Sequence, residues 1–259
     1  MQQMTFGETV KRTWTSAWEA LTQMPVLMLG AFAVYTALLY VSFAGRPVPG
    51  ADELPPGSLV FAGKVASLLH SIVGLGFIIK IHRFVLLREG PEPLVPLGGK
   101  PLARMLGMCV VIGLVAAASI LLLLLVLRPH HRGGTAFVGL IVAAIWVFVG
   151  VRISLLFPAI ATGSRIDLRG AWHDSSGHFW SLFGVPFAAV LPFIVCAVVA
   201  VFVLGRDSIL PAAIGSPARL LMLAAGQSAM NVVFALVTSS SFALLYRCYA
   251  DRLPAPPQR

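Results

Sequence analysis

The residues best spaced for metal chemistry in this chain are two pairs that contain histidine. Asp174 and His178 are four residues apart, so a helix would place them on one face, and His130 and His131 are adjacent. A zinc site in a protein needs three or four protein ligands. Neither pair has a third ligand at a usable spacing. We therefore predict no metal site.

Catalytic signatures are also absent from the sequence. There is no glycine-rich phosphate loop with lysine, no HExxH and no GxSxG elbow. All ten carboxylates fall in predicted loops, interfacial helices or tails. Cation-coupled and proton-coupled transporters generally keep an acidic residue inside the membrane, so this pattern disfavours that class. We predict a protein that is not an enzyme and that uses no cofactor.

Anion binding is the chemistry that the sequence does offer. The candidates for contact with a lipid phosphate or another anion are His82, Arg83, Arg88, Arg152 and Arg247. Three of them lie in one short basic segment that ends an apolar run. This segment either anchors the chain at the membrane surface, as loop cations commonly do, or contacts an anionic lipid.

Arg152 is the most costly of these candidates, because its predicted helix continues for about nine residues beyond it, to Ala161. An arginine at mid-span costs about 2.5–3.5 kcal/mol on insertion scales. Its side chain either pairs with a lipid phosphate or an anionic ligand, or serves the structure by extending to the interface or by binding carbonyls freed by Pro158. The sequence leaves both interpretations open.

The composition shows what must position these residues. The chain has 259 residues, of which 58% are apolar and 11% charged, whereas soluble domains carry about 25% charged residues. A bilayer core needs roughly 20 helical residues. Four uncharged stretches reach that length: Met24–Ala44, Met105–Leu127, Leu182–Leu204 and Leu220–Tyr246. Such stretches predict an integral membrane protein.

Two further segments bring the number of predicted spans to about six. We predict an all-α polytopic membrane helical bundle, built as three hairpins with two interfacial amphipathic helices. The spans are 24–44, 59–88, 103–127, 135–161, 180–204 and 218–247. They form one integral domain over residues 1–250, followed by a cytoplasmic tail over 251–259.

The distribution of basic residues predicts the orientation. With the N-terminus inside, 13 of the 19 lysines and arginines fall on the cytoplasmic side, as the positive-inside rule requires. Both termini are then cytoplasmic, in a bacterial inner membrane. The net charge of +9 is explained by attraction to anionic lipid, so we predict no nucleic-acid partner.

Two segments have the pattern of amphipathic helices. In residues 5–22, a capping-box pair precedes an apolar face of Phe6, Val10, Trp14, Ala17, Trp18 and Leu21. That face contacts the headgroups or packs on the bundle. A second segment begins at Asp167, a predicted N-cap. The predicted interfacial anchors are Trp14, Trp18, Trp172 and Trp180.

Small and polar residues within the apolar runs are predicted to serve packing. The close-packing points are Gly74, Gly76, Gly107, Gly113, Gly139 and Gly150. In the last span, the residues predicted to bond neighbouring helices are Gln227, Ser228, Asn231 and 238–241. The three cysteines are Cys109, Cys196 and Cys248, which we interpret as core residues.

Short motifs give the chain a family resemblance. The run from His82 to Glu89 reads HRxxLLxE, and Arg152 and Pro158 are followed by Ala-Trp and Phe-Trp pairs. This order resembles a group of uncharacterised multi-pass inner-membrane proteins of proteobacteria. Their layout is similar to the glycerophosphoryl diester phosphodiesterase membrane-domain family. The resemblance implies a membrane fold and brings no catalytic residues, because no phosphodiesterase domain is present.

The function predicted from these features is non-enzymatic. The basic cytoplasmic face would bind anionic lipid or a membrane-protein partner. The alternative is a facilitator or channel for a small or anionic solute, with Arg152 on its path. A lipid-modifying enzyme is a weaker alternative. The sequence does not indicate the oligomeric state.

Overall fold

The structure, a computed structural model, describes residues 5–46, 55–90, 99–127, 132–204, 216–251 and 253. Within these ranges it contains nine helices and no strand, which confirms the all-α fold class. The helices are α1 Phe6–Gln23, α2 Pro25–Ala44, α3 Gly57–Leu87, α4 Lys100–Leu127, α5 Arg132–Ile153, α6 Leu156–Ala161, α7 Leu168–Asp174, α8 Phe179–Leu204 and α9 Pro217–Tyr249. The tail lies outside the described residues except for positions 251 and 253.

Five of these helices are long and apolar enough to cross a membrane. They are α2, α3, α4, α8 and α9, each of which is apolar over most or all of its length. They correspond to five of the six predicted spans. The chain is therefore an integral, multi-pass membrane protein. Helices α3 and α9 have 31 and 33 residues, more than the roughly 20 that a span needs, so each extends beyond the hydrocarbon core or tilts within it.

The predicted span 135–161 differs from the structure. Helix α5 stops at Ile153, and turns at Ser154 and Leu155 separate it from the short helix α6. Pro158 explains the break, because a proline lacks the amide hydrogen and its ring collides with the carbonyl four residues earlier, here that of Ser154. Arg152 is thus in the last turn of a 22-residue helix, and its predicted mid-span position is wrong.

Helix α9 is the centre of the bundle, since it contacts α1, α2, α3, α6 and α8. The α2–α3 hairpin packs against it most closely. Near the hairpin turn, a side chain at Gly45 would collide with the carbonyl oxygen of Leu59, and a β-carbon at Gly63 would lie 3.3 Å from the Ser42 carbonyl. The hydroxyls of Ser42 and Ser67 bond across the same contact at 2.7 Å. Small residues here allow the two backbones to approach.

The α4–α5 hairpin lies at the edge of the bundle. Its large apolar side chains are mostly exposed among the described residues, including Leu114, Leu122 and Leu140, as expected for helices that face lipid tails. The close-packing prediction fails here, because a β-carbon at Gly107, Gly113, Gly139 or Gly150 would meet no described atom within 4 Å. Gly74 does support packing, since its β-carbon would contact the Tyr35 hydroxyl at 3.4 Å.

Candidate functional site at the basic end of the bundle

Most of the predicted anion-binding residues meet at one end of the bundle. We call it the basic end: α2 and α8 begin there, and α3, α5 and α9 end there. Helix α6 lies inside this end, and its residues Leu156 and Ile160 are fully buried. The core of the protein is therefore concentrated at the basic end, which fixes the helix termini relative to one another.

Arg247 caps helix α3. Its Nη2 donates to the carbonyl oxygens of Val85 and Leu86 at 2.7 and 2.9 Å. The last four carbonyls of a helix have no partner within the helix, and a cation there also interacts favourably with the helix dipole. Arg247 therefore joins the end of α9 to the end of α3, and two of its donors are already directed at protein.

Arg83 and Arg104 hold the end of α6 in a similar way. Arg83 forms a two-pronged ion pair with Glu89, at 2.7 and 2.6 Å, and donates to the Ala161 carbonyl at 3.3 Å. Arg104 donates to the carbonyls of Gly163 and Ser164, both at 3.0 Å. The charge of Arg83 is thus largely neutralised by protein, which leaves little of it for a lipid.

Arg88 connects α3 to α1. It follows the last residue of α3 in a left-handed conformation, with φ 54° and ψ 32°, and its Nη1 lies 2.7 Å from Oε2 of Glu19. A left-handed residue commonly ends a helix, although glycine is usual at such a position. The ion pair closes over a small cavity lined by Ser16, Glu19, Phe84, Val85, Arg88 and Arg247.

His82 has a different environment from the one that a lipid contact requires. Only 1% of its surface is exposed, and its Nδ1 has no hydrogen-bond partner among the described residues. It is on the inner face of α3, beside the buried Ile81. Its place in the proposed lipid-contact set is therefore corrected: the ring belongs to the packed interior.

Arg152 is held by aromatic rings. Its guanidinium carbon lies 5.4 Å from the ring centroid of Phe148 and 5.1 Å from that of Trp172. Its Nη1 donates to the Trp172 carbonyl at 3.4 Å, and its buried Nε has no partner in the described part of the chain. The contact with carbonyls freed by Pro158, one of the alternatives considered, is not formed among the described residues. The side chain instead joins α5 to α7.

The buried face of the amphipathic helix α1 shares only Ala17 with the predicted apolar face. The buried face consists of Thr9, Thr13, Ala17 and Ala20, whereas Trp14 and Trp18 are 38% and 66% exposed. The Trp14 ring also stacks on Phe193 of α8, with ring centroids 5.4 Å apart. The hydroxyl of Thr5 accepts from the Glu8 amide at 3.4 Å, which confirms the Thr5 half of the predicted capping box, whereas the Glu8 carboxylate pairs with Arg12 at 2.9 Å.

The second amphipathic segment also begins as predicted. The Asp167 carboxylate accepts from the Gly170 amide at 2.9 Å and caps α7. Trp172 is partly exposed although it packs on Arg152 and Phe148, and Trp180 at the start of α8 is 78% exposed. These indole rings are positioned at the outer surface of the basic end.

Asp174 has a role that the sequence did not reveal. Its carboxylate is buried, and Oδ2 accepts the backbone amide of Leu253, at 3.0 Å. Leu253 is itself 2% exposed, and the His178 ring stacks on Tyr249, with centroids 4.1 Å apart. The segment after α9 therefore folds back onto the end of α7. The His130–His131 pair lies outside the described residues.

A second polar cluster lies within the bundle, away from the basic end. The amide Nδ2 of Asn231 on α9 is 3.4 Å from Nε2 of His70 on α3, and Gln227 donates to Asn231 at 3.0 Å. The His70 ring lies 4.5 Å from that of Tyr35 on α2. Asn231 thus bonds a neighbouring helix as predicted, whereas Ser228 and the hydroxyls of Thr238 and Ser241 bond carbonyls of their own helix.

No protein-family model, curated protein or solved structure matches the chain. Function is therefore inferred from the arrangement of residues at the basic end. In the part of the chain that the structure describes, no group of three or more metal-ligating side chains is present. The arrangement supplies cations, some bonded to protein and some not, beside exposed aromatic rings.

Proposed function

We propose that this protein is a non-enzymatic integral protein of a bacterial inner membrane, which binds anionic phospholipid through its basic end. The single observation that supports this most is the set of cations without protein partners beside exposed tryptophans. The residual cations of the basic end include Lys11, Arg165 and Arg169, whose side chains are exposed and make no hydrogen bond or ion pair with the described residues.

The contrast between residual and bonded cations matters for lipid binding. Arg83 and Arg247 donate to carboxylate or carbonyl oxygens of the protein, so a lipid would have to displace those bonds. Lys11, Arg165 and Arg169 have no such competitor within the described ranges. A cation near an anionic membrane surface contributes about 1 kcal/mol of attraction, so three residual cations contribute roughly 3 kcal/mol before screening.

The aromatic side chains support the same location. Trp18 of α1 and Trp180 at the start of α8 are among the most exposed large side chains at this end. Ile166 and Leu168 are exposed next to Arg165 and Arg169. Tryptophan concentrates at the membrane–water boundary, and basic residues beside apolar ones suit the headgroup region. The basic end would then face the cytoplasm, with both termini on that side.

A change of lipid preference tests this proposal. A variant with Lys11→Gln, Arg165→Gln and Arg169→Gln would be extracted with its native lipids in polymer nanodiscs. We expect its ratio of phosphatidylglycerol to phosphatidylethanolamine, measured by mass spectrometry, to fall toward that of the bulk membrane. The control variant, Arg46→Gln with Lys64→Gln and Arg219→Gln, removes the same charge at the opposite end. Equal lipid ratios in the two variants would contradict the proposal.

The alternatives have less support. A solute path through Arg152 was motivated by a mid-span position, and this residue instead ends α5. A membrane-protein partner would occupy the same exposed cations and would co-purify in the nanodiscs. The family resemblance of the HRxxLLxE run remains a prediction.

A further inference from the structure

Arg152 uses fewer of its donors than Arg83 and Arg104, two other arginines of the basic end that hold helix termini. A guanidinium has five N–H donors. Arg83 and Arg104 each make at least two hydrogen bonds of 3.3 Å or less to protein oxygens. With the residues that the structure describes, Arg152 makes one, at 3.4 Å, and its buried Nε has no partner there. Its hydrogen-bonding capacity is therefore largely unused.

The charge of Arg152 is also uncompensated. No carboxylate among the described residues lies within ion-pair distance of it, whereas Arg83, Arg88 and Arg12 each have a glutamate partner. Removing a charge from water without a counter-charge is costly. An anion from outside the chain would supply both the missing charge and the missing acceptors.

The aromatic clamp orients the guanidinium for such an anion. Phe148 on α5 and Trp172 on α7 both lie within 5.5 Å of its carbon, and their own rings meet edge to face with centroids 6.1 Å apart. Aromatic faces attract a guanidinium without occupying its N–H donors. The side chain is thus held in place while the rings occupy none of its terminal Nη donors, which reduces the entropy lost on binding.

The surroundings determine which anion fits. Arg169 is one helical turn before Trp172 and exposed, so it adds a second positive charge on the same helix. Leu168 and Phe148 are exposed apolar neighbours. A planar guanidinium binds the oxygens of phosphate in pairs. A group with a phosphate oxyanion and an apolar extension matches this combination.

We propose that Arg152, held against the rings of Phe148 and Trp172, is a specific binding site for a phosphate ester oxyanion. The inference rests on the proposed lipid-binding function and deepens it, because it assigns one tightly held phosphate to one side chain. The phosphate belongs either to a phospholipid headgroup or to a soluble phosphate.

Native mass spectrometry of the purified full-length protein tests the site. Detergent-solubilised wild type would be titrated with short-chain phosphatidylglycerol, with phosphatidylcholine of the same chain length, and separately with inorganic phosphate. We expect wild type to form one saturable adduct with phosphatidylglycerol. Its affinity should be roughly tenfold or more lower in Arg152→Gln, because the charge-assisted bonds are lost. Arg152→Lys should lie between the two, since an ammonium keeps the charge but not the paired donors. If inorganic phosphate competes with the lipid for the site, the natural ligand is a soluble phosphate. If it does not compete, the ligand is a lipid headgroup.

The matched control is Arg46→Gln, which removes an arginine held 4.8 Å from the Phe43 ring at the opposite end. It should bind like the wild type. An adduct of equal affinity in Arg152→Gln and wild type, or no saturable adduct in wild type, would overturn the inference. If Arg152→Gln does not fold, protection of the wild-type Trp172 segment from hydrogen exchange by phosphatidylglycerol decides the matter, and unchanged exchange contradicts the site.

The outcomes separate this site from the broader proposal. Loss of the tight adduct in Arg152→Gln, with unchanged lipid ratios in the triple variant at Lys11, Arg165 and Arg169, would refute only the contribution of the residual cations. The reverse pattern would refute only the Arg152 site.

Discussion

Replacing Arg247 with alanine should destabilise the protein without changing its lipid preference. The guanidinium of Arg247 donates to the carbonyls of Val85 and Leu86 at 2.7 and 2.9 Å, and these bonds join the ends of α3 and α9. No other side chain donates to these two carbonyls among the described residues. Removing Arg247 therefore leaves the carbonyls of Val85 and Leu86 without this donor, so that water has to replace it.

The magnitude follows from these two bonds. A hydrogen bond from a charged donor contributes about 1.5–3 kcal/mol, and a cation at a helix C-terminus a further 0.3–1 kcal/mol or so. Because the Arg247 side chain is partly exposed, water replaces part of these interactions in the variant. We therefore expect the free energy of unfolding to fall by about 2 kcal/mol. For a chain of this size, that corresponds to a melting temperature lower by roughly 4–8 °C.

Thermal unfolding in detergent, followed by tryptophan fluorescence, measures this effect. The matched control is Arg219→Ala, which removes an exposed arginine at the other end of the same helix and should leave the melting temperature unchanged. Arg247→Lys should fall between wild type and Arg247→Ala, because one ammonium can reach one carbonyl. Equal melting temperatures for Arg247→Ala and Arg219→Ala would refute the capping role.

Two further predictions concern the packing of the bundle and its C-terminal segment. Gly45→Val should prevent the close approach of α2 and α3, because its side chain would collide with the Leu59 carbonyl. Thermal unfolding should show a large loss of stability, whereas Gly107→Val, in open space, should behave like wild type. Asp174→Ala should release the segment that ends at Leu253 and speed its removal by carboxypeptidase. Asp174→Asn, which keeps an acceptor oxygen, should protect the segment. An unchanged digestion rate in Asp174→Ala would count against the contact between Asp174 and Leu253.

Element types were predictable from the sequence because single residues and long runs determine them locally. The length of uncharged stretches predicts α2, α4, α8 and α9, and short polar side chains before a helix predict the caps at Thr5 and Asp167. The break after Ile153 was missed, although Pro158 signals it. A proline disrupts the helical turn that precedes it, because its ring collides with the carbonyl four residues earlier. The break therefore lies before Pro158 and not at it.

The roles of the arginines were not predictable in the same way. An arginine that caps another helix and one that faces lipid look alike in a sequence, since the carbonyls that bind Arg83 and Arg247 come from residues 78 and about 160 positions away. The burial of His82 depends on the rotation of α3 against its neighbours. The docking of Leu253 on Asp174 likewise needs the tertiary fold, because a lone aspartate near a helix end is ordinarily a surface residue.

The sidedness of the basic end is the claim on which the functional account depends. Single cysteines introduced by Glu8→Cys at the basic end and Ser58→Cys at the start of α3 would be compared in a background with Cys109, Cys196 and Cys248 replaced by serine or alanine. A membrane-impermeant maleimide should label the first variant only in inverted vesicles and the second only in intact spheroplasts. Labelling of both positions from the same side would contradict the account.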